Sequence, residues 1–503
     1  MTILTIVIVI FVAVGDRTAP KVREFSWQDK QIGAGDEALL LSFTRPMNEA
    51  SVEENFALEA LVSENERELI PGRFSWAGRR MAYTLNAPAP YGYEFELTLD
   101  SAFDRFSDEQ QAKTLLRPFR GTFHTRDRAF LYLGTTGNEE GRLVLHNLTQ
   151  KEKTILTPET LVVTDYEPYP KGDRVLFAAT DRASQEQGLI NQQLYVVSTG
   201  IEIATPVSIG GYAANSIPAS SPATIPATGD IQLVLDSIGY QNLKFDLSPD
   251  GQTIVIYRVN RQNPADFGLW VVRAGQDPQP LPSEPGGDFL ITPDSQAVAY
   301  LQGEGMAIFS LNPETETSDN KPLDFLPQYG LVLNFARDGS AVATVQFNAD
   351  PLTPTRSLYL VTNRGENTEL VETTGSILKA EFDPSGKFLY CLLTELLPGD
   401  IYVEQPYLSA INLETLERTD LLVLPIQRDI QMHVAPDGLG ILFDQIITAQ
   451  SPDESSVLRS NDGQSIASGQ LWFFPIVLGE DGNPIQTEPN IISDEGLRPQ
   501  WLP

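Results

Sequence analysis

A short turn recurs along this chain at a near-constant interval, and that recurrence limits the fold more than any other feature. Ser248-Pro249-Asp250-Gly251 returns in altered form as Pro170-Lys171-Gly172-Asp173, Thr292-Pro293-Asp294-Ser295, Ala336-Arg337-Asp338-Gly339, Asp383-Pro384-Ser385-Gly386 and Ala435-Pro436-Asp437-Gly438. Successive copies from 249 to 436 step by 44, 44, 47 and 52 residues, and the interval of 79 between 170 and 249 holds one unit plus an insertion. Each turn lies between apolar β-runs. A further strand follows at a similar distance, as in Gly268-Leu269-Trp270-Val271-Val272 and Gln470-Leu471-Trp472-Phe473-Phe474. One such unit cannot bury its apolar face alone and must stack on its neighbours, so the pattern predicts an all-β repeat architecture. Asp and Gly at these places read as turn formers, Asp through Asx hydrogen bonds and Gly through positive φ.

The strands before the turns are the innermost of each unit: Val162 to Tyr166, Leu243 to Leu247, Asp288 to Ile291, Leu331 to Phe335, Leu378 to Phe382 and Ile430 to Val434. That makes six blades. Residues 129–157 supply three more strands with no inner strand ahead of them, and Leu497 to Leu502 has the form of an inner strand that stops where its turn would begin. Joining the two completes a seventh blade and removes an open sheet edge, which β proteins avoid. The expectation is a seven-bladed β-propeller over 129–503, with a six-bladed ring as the alternative.

Lys and Arg number 35 against 67 Asp and Glu, a net charge of −32. Nucleic-acid affinity comes from Lys and Arg neutralising phosphate, so this balance argues against a nucleic-acid partner. Residues 18–127 hold 18 acids and 13 bases, and because Asp16 and Arg17 cancel, the remainder carries −27. Such a surface keeps a large β protein soluble, or meets a cationic partner. The single cysteine, Cys391, allows no intramolecular disulfide, and Phe388-Leu389-Tyr390-Cys391-Leu392-Leu393 reads as a buried strand.

Residues 1–16 are mostly apolar, from Ile3 to Val14 with Thr5 interrupting. At about 1.5 Å per residue the run spans roughly 20 Å, short of the ~30 Å hydrocarbon core, and it lacks the basic start of a signal peptide. Two readings export the chain: an unusual secretory segment, or the end of a membrane anchor that begins upstream. The run of Ile and Val without flanking charge favours the anchor. A buried first strand is the purely structural alternative.

Between 20 and 127 about seven short alternating strands occur, among them Ala38 to Phe43, Arg80 to Leu85, Tyr93 to Leu99 and Gly121 to Thr125, which is the spacing of a β-sandwich. Ser51 with Glu54 has the form of a capping box and predicts one turn of helix. Leu41-Ser42-Phe43-Thr44-Arg45-Pro46-Met47, then Ser51-Val52, the Trp76 strand, Pro90-Tyr91-Gly92-Tyr93 and Phe123-His124-Thr125 resemble the bacterial Ig-like domain of the SbsA type. The resemblance implies an envelope spacer or adhesive module without catalytic residues, in which His124 is a strand residue.

Phe245-Asp246-Leu247-Ser248-Pro249-Asp250-Gly251 and its repeats resemble the TolB-type propeller family, which looks related to WD-repeat proteins. The likeness covers 129–503 and speaks for architecture. The TolB translocation protein itself has a different amino-terminal domain and is usually described with six blades, so what is implied is a relative in fold.

Motifs for chemistry are missing. Gly463-Gln464-Ser465-Ile466-Ala467 departs from the Gly-x-Ser-x-Gly elbow, and three dispersed histidines (His124, His146, His433) with one cysteine make no zinc set. Asn461-Asp462-Gly463 lacks the later ligands of a calcium loop. No cofactor or metal is therefore expected. The long insertions, 181–192, 211–230, 261–267, 348–356, 394–407 and 446–469, are expected at one end of the propeller, where the second-to-third and fourth-to-next-first connections lie, leaving tight turns at the other end. Binding residues tend to sit on loops held by a rigid scaffold. The sequence thus points to a non-catalytic binding or scaffolding protein of the bacterial cell envelope, membrane-anchored with its bulk on the periplasmic or extracellular side. Tyr212, Tyr402, Tyr407 and Arg459 are the candidate partner-binding residues, and the partner is a protein or envelope polymer, cationic if the charge is used. The alternative is a propeller enzyme, a hydrolase or lyase acting on glycan or peptide, with its site in the central funnel.

Overall fold

The computed structural model describes residues 19–503 except 64–65, 106–114, 190, 202–226, 304, 312–323, 327–329, 349–353, 400, 428, 449–457 and 461–462. The apolar segment 1–16 and Tyr212 thus lie outside the described residues. Nearly every described element is a strand, and the chain divides into two compact units, one of 1–127 with 204–210 and one of 128–203 with 211–503.

The first unit is a β-sandwich. One sheet takes Val22–Phe25, Ala38–Phe43, Arg80–Leu85 and Gly72–Ala77 in that order; the other takes Gln31–Ile32, Phe119–Thr125, Glu94–Leu99, Phe56–Ser63 and Glu66–Leu69. Alternation decides the faces: Leu39, Leu41 and Phe43 of the first sheet and Phe95, Leu97 and Leu99 of the second are buried in one shared core. Edge-on ring contacts cross it, Phe56 to Phe74 at 5.2 Å and Trp27 to Phe123 at 5.0 Å. The helix predicted near Ser51 is present as Glu49–Glu54, but its cap is Asn48, whose Oδ1 accepts from the Ser51 N–H at 2.9 Å. Ser51 is inside the first turn and its hydroxyl instead meets the Phe103 N–H at 3.1 Å, which is why the capping-box reading fails. His124 is an exposed residue of Phe119–Thr125, paired across to Glu94 and Gln31.

The second unit is a β-propeller. Five of its sheets are consecutive four-stranded meanders beginning at Leu161–Pro168, Tyr240–Leu247, Phe289–Ile291, Leu331–Phe335 and Ile377–Phe382; these are blades 2 to 6, with strands A to D in chain order. The remaining sheet has seven strands because Asn490–Trp501 serves twice. Its first half pairs with Ile466–Pro475 (Gln470 opposite Glu495) and so closes blade 7 as strand D. Its second half pairs with Ala129–Gly134 (Leu133 opposite Leu497, Phe130 opposite Trp501) and is strand A of blade 1. The strand changes sheets at Gly496, where a Cβ would lie 2.3 Å from the Tyr132 ring. Only glycine fits that crossing.

The A-to-B turns share one geometry. Gly172, Gly251, Gly339, Gly386 and Gly438 have φ values of 73°, 69°, 71°, 70° and 74°, and Ser295 has 61°. Asp250, Asp294 and Asp338 each accept the N–H two residues on, at 2.9, 3.0 and 2.9 Å. These are the Asx turns that the sequence pattern requires.

One expectation fails. In blade 2 strand C is Gln193–Ser198 and strand D is Ile231–Leu235, so 211–230 belongs to a C-to-D connection and leaves from the end that carries the tight turns. The alternating run at 231–235 takes the outermost place, and only four residues then lead to the next blade. Connections 311–323 and 476–489 are also long C-to-D links, so the insertions are not one-sided. The B-to-C connections of blades 2, 3, 5, 6 and 7 do share the opposite end.

Candidate functional site: the channel wall

Strand A of each blade lines the centre of the ring, and counting back from the turn proline (or its equivalent) brings matching positions together. Three residues before it stand Glu167, Asp246, Leu290, Asn334, Glu381, His433 and Gln500. Five of the seven reach the neighbouring blade in the same way. The Leu247 N–H donates to Glu167 Oε2 at 2.9 Å, Ile291 to Asp246 Oδ2 at 2.6 Å, Phe382 to Asn334 Oδ1 at 3.3 Å, Val434 to Glu381 Oε2 at 2.7 Å, and Trp501 to His433 Nδ1 at 3.3 Å. The exceptions explain themselves. Leu290 has no acceptor, and the residue facing Gln500 is Pro168, which has no N–H. This belt joins five of the seven inner strands to the next, and sequence reasoning missed it although the polar residue three before all but one of the turns was visible.

Two positions earlier stand Asp165, Lys244, Asp288, Val332, Lys379, Gln431 and Arg498. Here the side chains pair within the channel: Arg498 Nη1 with Asp165 Oδ1 at 3.1 Å, Lys244 with Asp288, and Lys379 Nζ with Glu381 Oε1 at 2.7 Å. Blade 7 has a short strand A, Met432–Val434, and Asp444 from strand B supplements it. Its two oxygens accept from the Gln431 and Arg498 N–H groups, both at 2.7 Å, tying blade 7 to the inner strand of blade 1.

Burial sets the charges. It pushes the Asp444 carboxyl up to about 6, against the opposing pull of its two backbone donors and Arg498. It raises Glu167 and Asp246 as well, and the mutual repulsion of these neighbours adds to the effect on Glu167. For Glu381 burial acts upward too, but Lys379 and His433 outweigh it and hold the carboxyl below its ordinary value. Burial lowers His433, so its ring is neutral near pH 7; since Nδ1 accepts from Trp501, the proton sits on Nε2. Shifted carboxylates are thus present in the wall, but each already accepts backbone N–H groups that hold blades together.

The seam has its own cluster. Asp494 receives His146 Nδ1 at 2.5 Å and Lys153 Nζ at 3.2 Å, and Lys153 also meets Glu139 at 2.7 Å. Burial would raise Asp494, yet His146 and Lys153 hold it below its ordinary value. His146 is therefore a partner of the closing strand. Cys391 is fully buried and its thiol is pushed up by that burial, as the apolar strand around it implied.

Of the sequence-predicted partner-binding residues, Tyr402 is exposed in the B-to-C connection of blade 6, its hydroxyl donating to Glu404. Arg459 is exposed in the corresponding connection of blade 7, bridged to Ser465. Tyr407 differs: it lies in strand C of blade 6 opposite Leu393 and Val423, half-buried, with Arg418 5.9 Å from its ring centre. The three therefore sit on three different elements, two connections and one strand. Sequence inspection did not single out Ile238, Phe347 or Ile401, which are 83, 57 and 77% exposed at the end where Tyr402 lies. Among the described residues no group of three or more His, Cys, Asp or Glu could hold a metal ion.

No protein-family model matches the chain, and no curated protein sequence does. Solved structures do. TolB from Acinetobacter baumannii is similar at 10% identity over 82% of this chain and 80% of that one, with a TM-score of 0.38. A candidate 6-phosphogluconolactonase from Bacteroides fragilis is similar at 14% identity over 75% of this chain and 97% of that one, TM-score 0.41. The tricorn protease is similar at 10% identity over 93% of this chain and 44% of that one, TM-score 0.30.

Proposed function

We propose that this chain is a binding or scaffolding protein of the bacterial cell envelope, in which an SbsA-type Ig-like domain accompanies a TolB-like ring of seven blades closed by Asn490–Trp501. The observation that carries the non-catalytic reading is the use made of the channel wall: Glu167, Asp246, Glu381, His433 and Asp444 all accept backbone N–H groups of an adjacent blade. A general base needs its lone pair for substrate. Here the ring lone pair of His433 and both oxygens of Glu381 and Asp444 are engaged in the wall, while Glu167 and Asp246 each commit one oxygen to the neighbouring blade.

The partner surface in this reading is the end bearing the B-to-C connections of blades 2, 3, 5, 6 and 7, where Ile238, Phe347, Ile401 and Tyr402 are exposed. Tyr is among the residue types that dominate interface energy. The charge of −27 beyond the Ig-like domain favours a cationic protein or envelope polymer, which would associate faster at low salt. Anchoring through residues 1–16 is part of the proposal; among the described residues no helix is long and apolar enough to cross a membrane.

The test is cross-linked capture from an envelope extract by the full chain and by an I401S/Y402S variant, with partners identified and then re-bound in purified form. A cationic partner that binds the chain and loses ten-fold or more in the variant supports the reading. Partners that are indifferent to the variant, or lost only when the Asp-Gly turns at the opposite end are altered, would reject it. The enzyme reading rests on the raised Glu167 and Asp246 carboxylates, and it requires turnover of a glycan or peptide that disappears in E167Q or D246N.

A further inference from the structure

The belt accounts for most polar groups of the channel wall, and what it leaves over is concentrated in one arc. Blades 6, 7 and 1 place Lys379, Gln431 and Arg498 at the same level, with His433 and Gln500 one step deeper. Together with Asp165, Tyr166, Met432 and Pro499 they line a cavity of about 170 Å³ that opens on the channel. The side-chain amides of Gln431 and Gln500 have no hydrogen-bond partner among the described residues. Gln500 is the belt member whose opposite number is a proline, so nothing in the fold calls on its amide. His433 gives its Nδ1 to the Trp501 N–H and keeps a proton on Nε2. Lys379 bonds Glu381 and the Met432 carbonyl at 2.7 and 2.6 Å, which leaves the third ammonium hydrogen. On the other side of the ring the same levels hold the Lys244–Asp288 pair, Val332, Leu290 and Asn334, so Lys244 has neither a second cation nor a pair of glutamine amides beside it.

We propose that this arc is a binding site for a small polyhydroxy carboxylate, a uronic-acid-type sugar acid, and that it is separate from the macromolecular surface above. The carboxylate would sit between Lys379 and Arg498, since ionised acceptors make the stronger hydrogen bonds to such cations. Gln431 and Gln500, each with two donors and one acceptor group, match hydroxyls, which also donate and accept. Met432 and Pro499 supply an apolar floor. The cations are partly balanced by Asp165 and Glu381, so the carboxylate alone is a weak handle and the amides are required for selective binding.

Glucuronate titrated into the full chain by calorimetry and by saturation-transfer NMR tests this, with glucose as the neutral counterpart. The expected result is glucuronate affinity at least ten-fold above that for glucose, and a loss of ten-fold or more in Q431A/Q500A at an unchanged melting temperature. Neither amide holds a backbone group, so this variant keeps the fold; R498K, which keeps the charge and alters the fork, serves as the second variant and is expected to weaken glucuronate binding several-fold. Equal affinity for glucuronate and glucose, no binding of either, or unchanged glucuronate binding in Q431A/Q500A would overturn the proposal.

Discussion

Replacing Asp444 by asparagine should change how the stability of the propeller depends on pH, in a direction opposite to that of an ordinary paired carboxylate. Asp444 is fully buried on strand B of blade 7, and burial raises its carboxyl from an ordinary 3.8 to about 6. In the unfolded chain the proton leaves near 3.8; in the folded chain it stays until about 6. Between those values the folded state binds more protons, so this group's contribution to stability is fully present below pH 3.8 and is lost as pH rises through 6. A difference of 2.2 pH units at 1.36 kcal/mol each is about 3 kcal/mol. The substituted amide cannot ionise, and where the protonated carboxyl still turns a hydroxyl oxygen to the second of the Gln431 and Arg498 N–H groups the amide presents an NH2, which costs about 1–3 kcal/mol at every pH. D444N should therefore melt below the natural protein at pH 4, gain on it as pH rises through 6 and hold that gain level to pH 7.5. Taking roughly 2.1 cal/mol/K of unfolding entropy per residue over the propeller, the ~3 kcal/mol swing corresponds to about 4 °C in melting temperature. Scanning calorimetry of both proteins at matched ionic strength reads it directly, because every other titrating group cancels in the difference. Melting curves that stay parallel across this range would refute the argument that burial, not the two backbone donors, governs Asp444.

Other consequences of the architecture can be measured as well. Removing 497–503 strips strand A from blade 1 and exposes two sheet edges, so the truncated protein should aggregate or melt early; unchanged thermal stability would contradict closure by this strand. D246A leaves the Ile291 N–H without its acceptor and should cost about 1–3 kcal/mol, whereas Q500A, which faces Pro168, should stay within about 0.5 kcal/mol in the same calorimetric assay. G386A should cost about 1–2 kcal/mol although a Cβ there meets nothing within 4 Å, because φ is 70°; no change in melting temperature would mean that the turn relaxes. Asp494 acts in the opposite sense to Asp444: its lowered carboxyl stabilises the seam above the unfolded value of 3.8 and that contribution fades as pH falls below it, so K153M should flatten the acid limb of an unfolding titration followed by circular dichroism.

The inner strands and the turns could be read from sequence because each is fixed locally: an apolar run ends where Asp and Gly allow a left-handed residue, and nothing distant alters that. The pairing of Leu497 to Trp501 with the first blade followed from an unpaired edge and a missing strand. The side on which 199–230 emerges did not, since it depends on which β-run pairs with Gln193–Ser198, and pairing is a property of the partner strand. Tyr407 was placed with a loop for the same reason; the alternation of 404–412 is hidden by Pro406 and by a doubly buried stretch, yet the strand runs on to Asn412. The channel belt was legible in principle. Glu167, Asp246, Asn334, Glu381 and His433 share one register, but a polar residue in a β-run looks like solvent exposure until the neighbouring blade's N–H is seen against it.

The sharing of Asn490–Trp501 between two blades also sets an order in time. Phe130 and its partner Trp501 are separated by 371 residues, which a ribosome adding ~5–20 residues per second takes roughly 20 to 75 s to make. Throughout that interval Ala129–Gly134 has one neighbour in its sheet instead of two, and its Phe130 and Tyr132, fully buried in the finished ring, lack part of their cover. The earliest-made blade is the last to be completed, and a nascent chain of this design must be kept from pairing its waiting edge with another molecule until its final strand arrives.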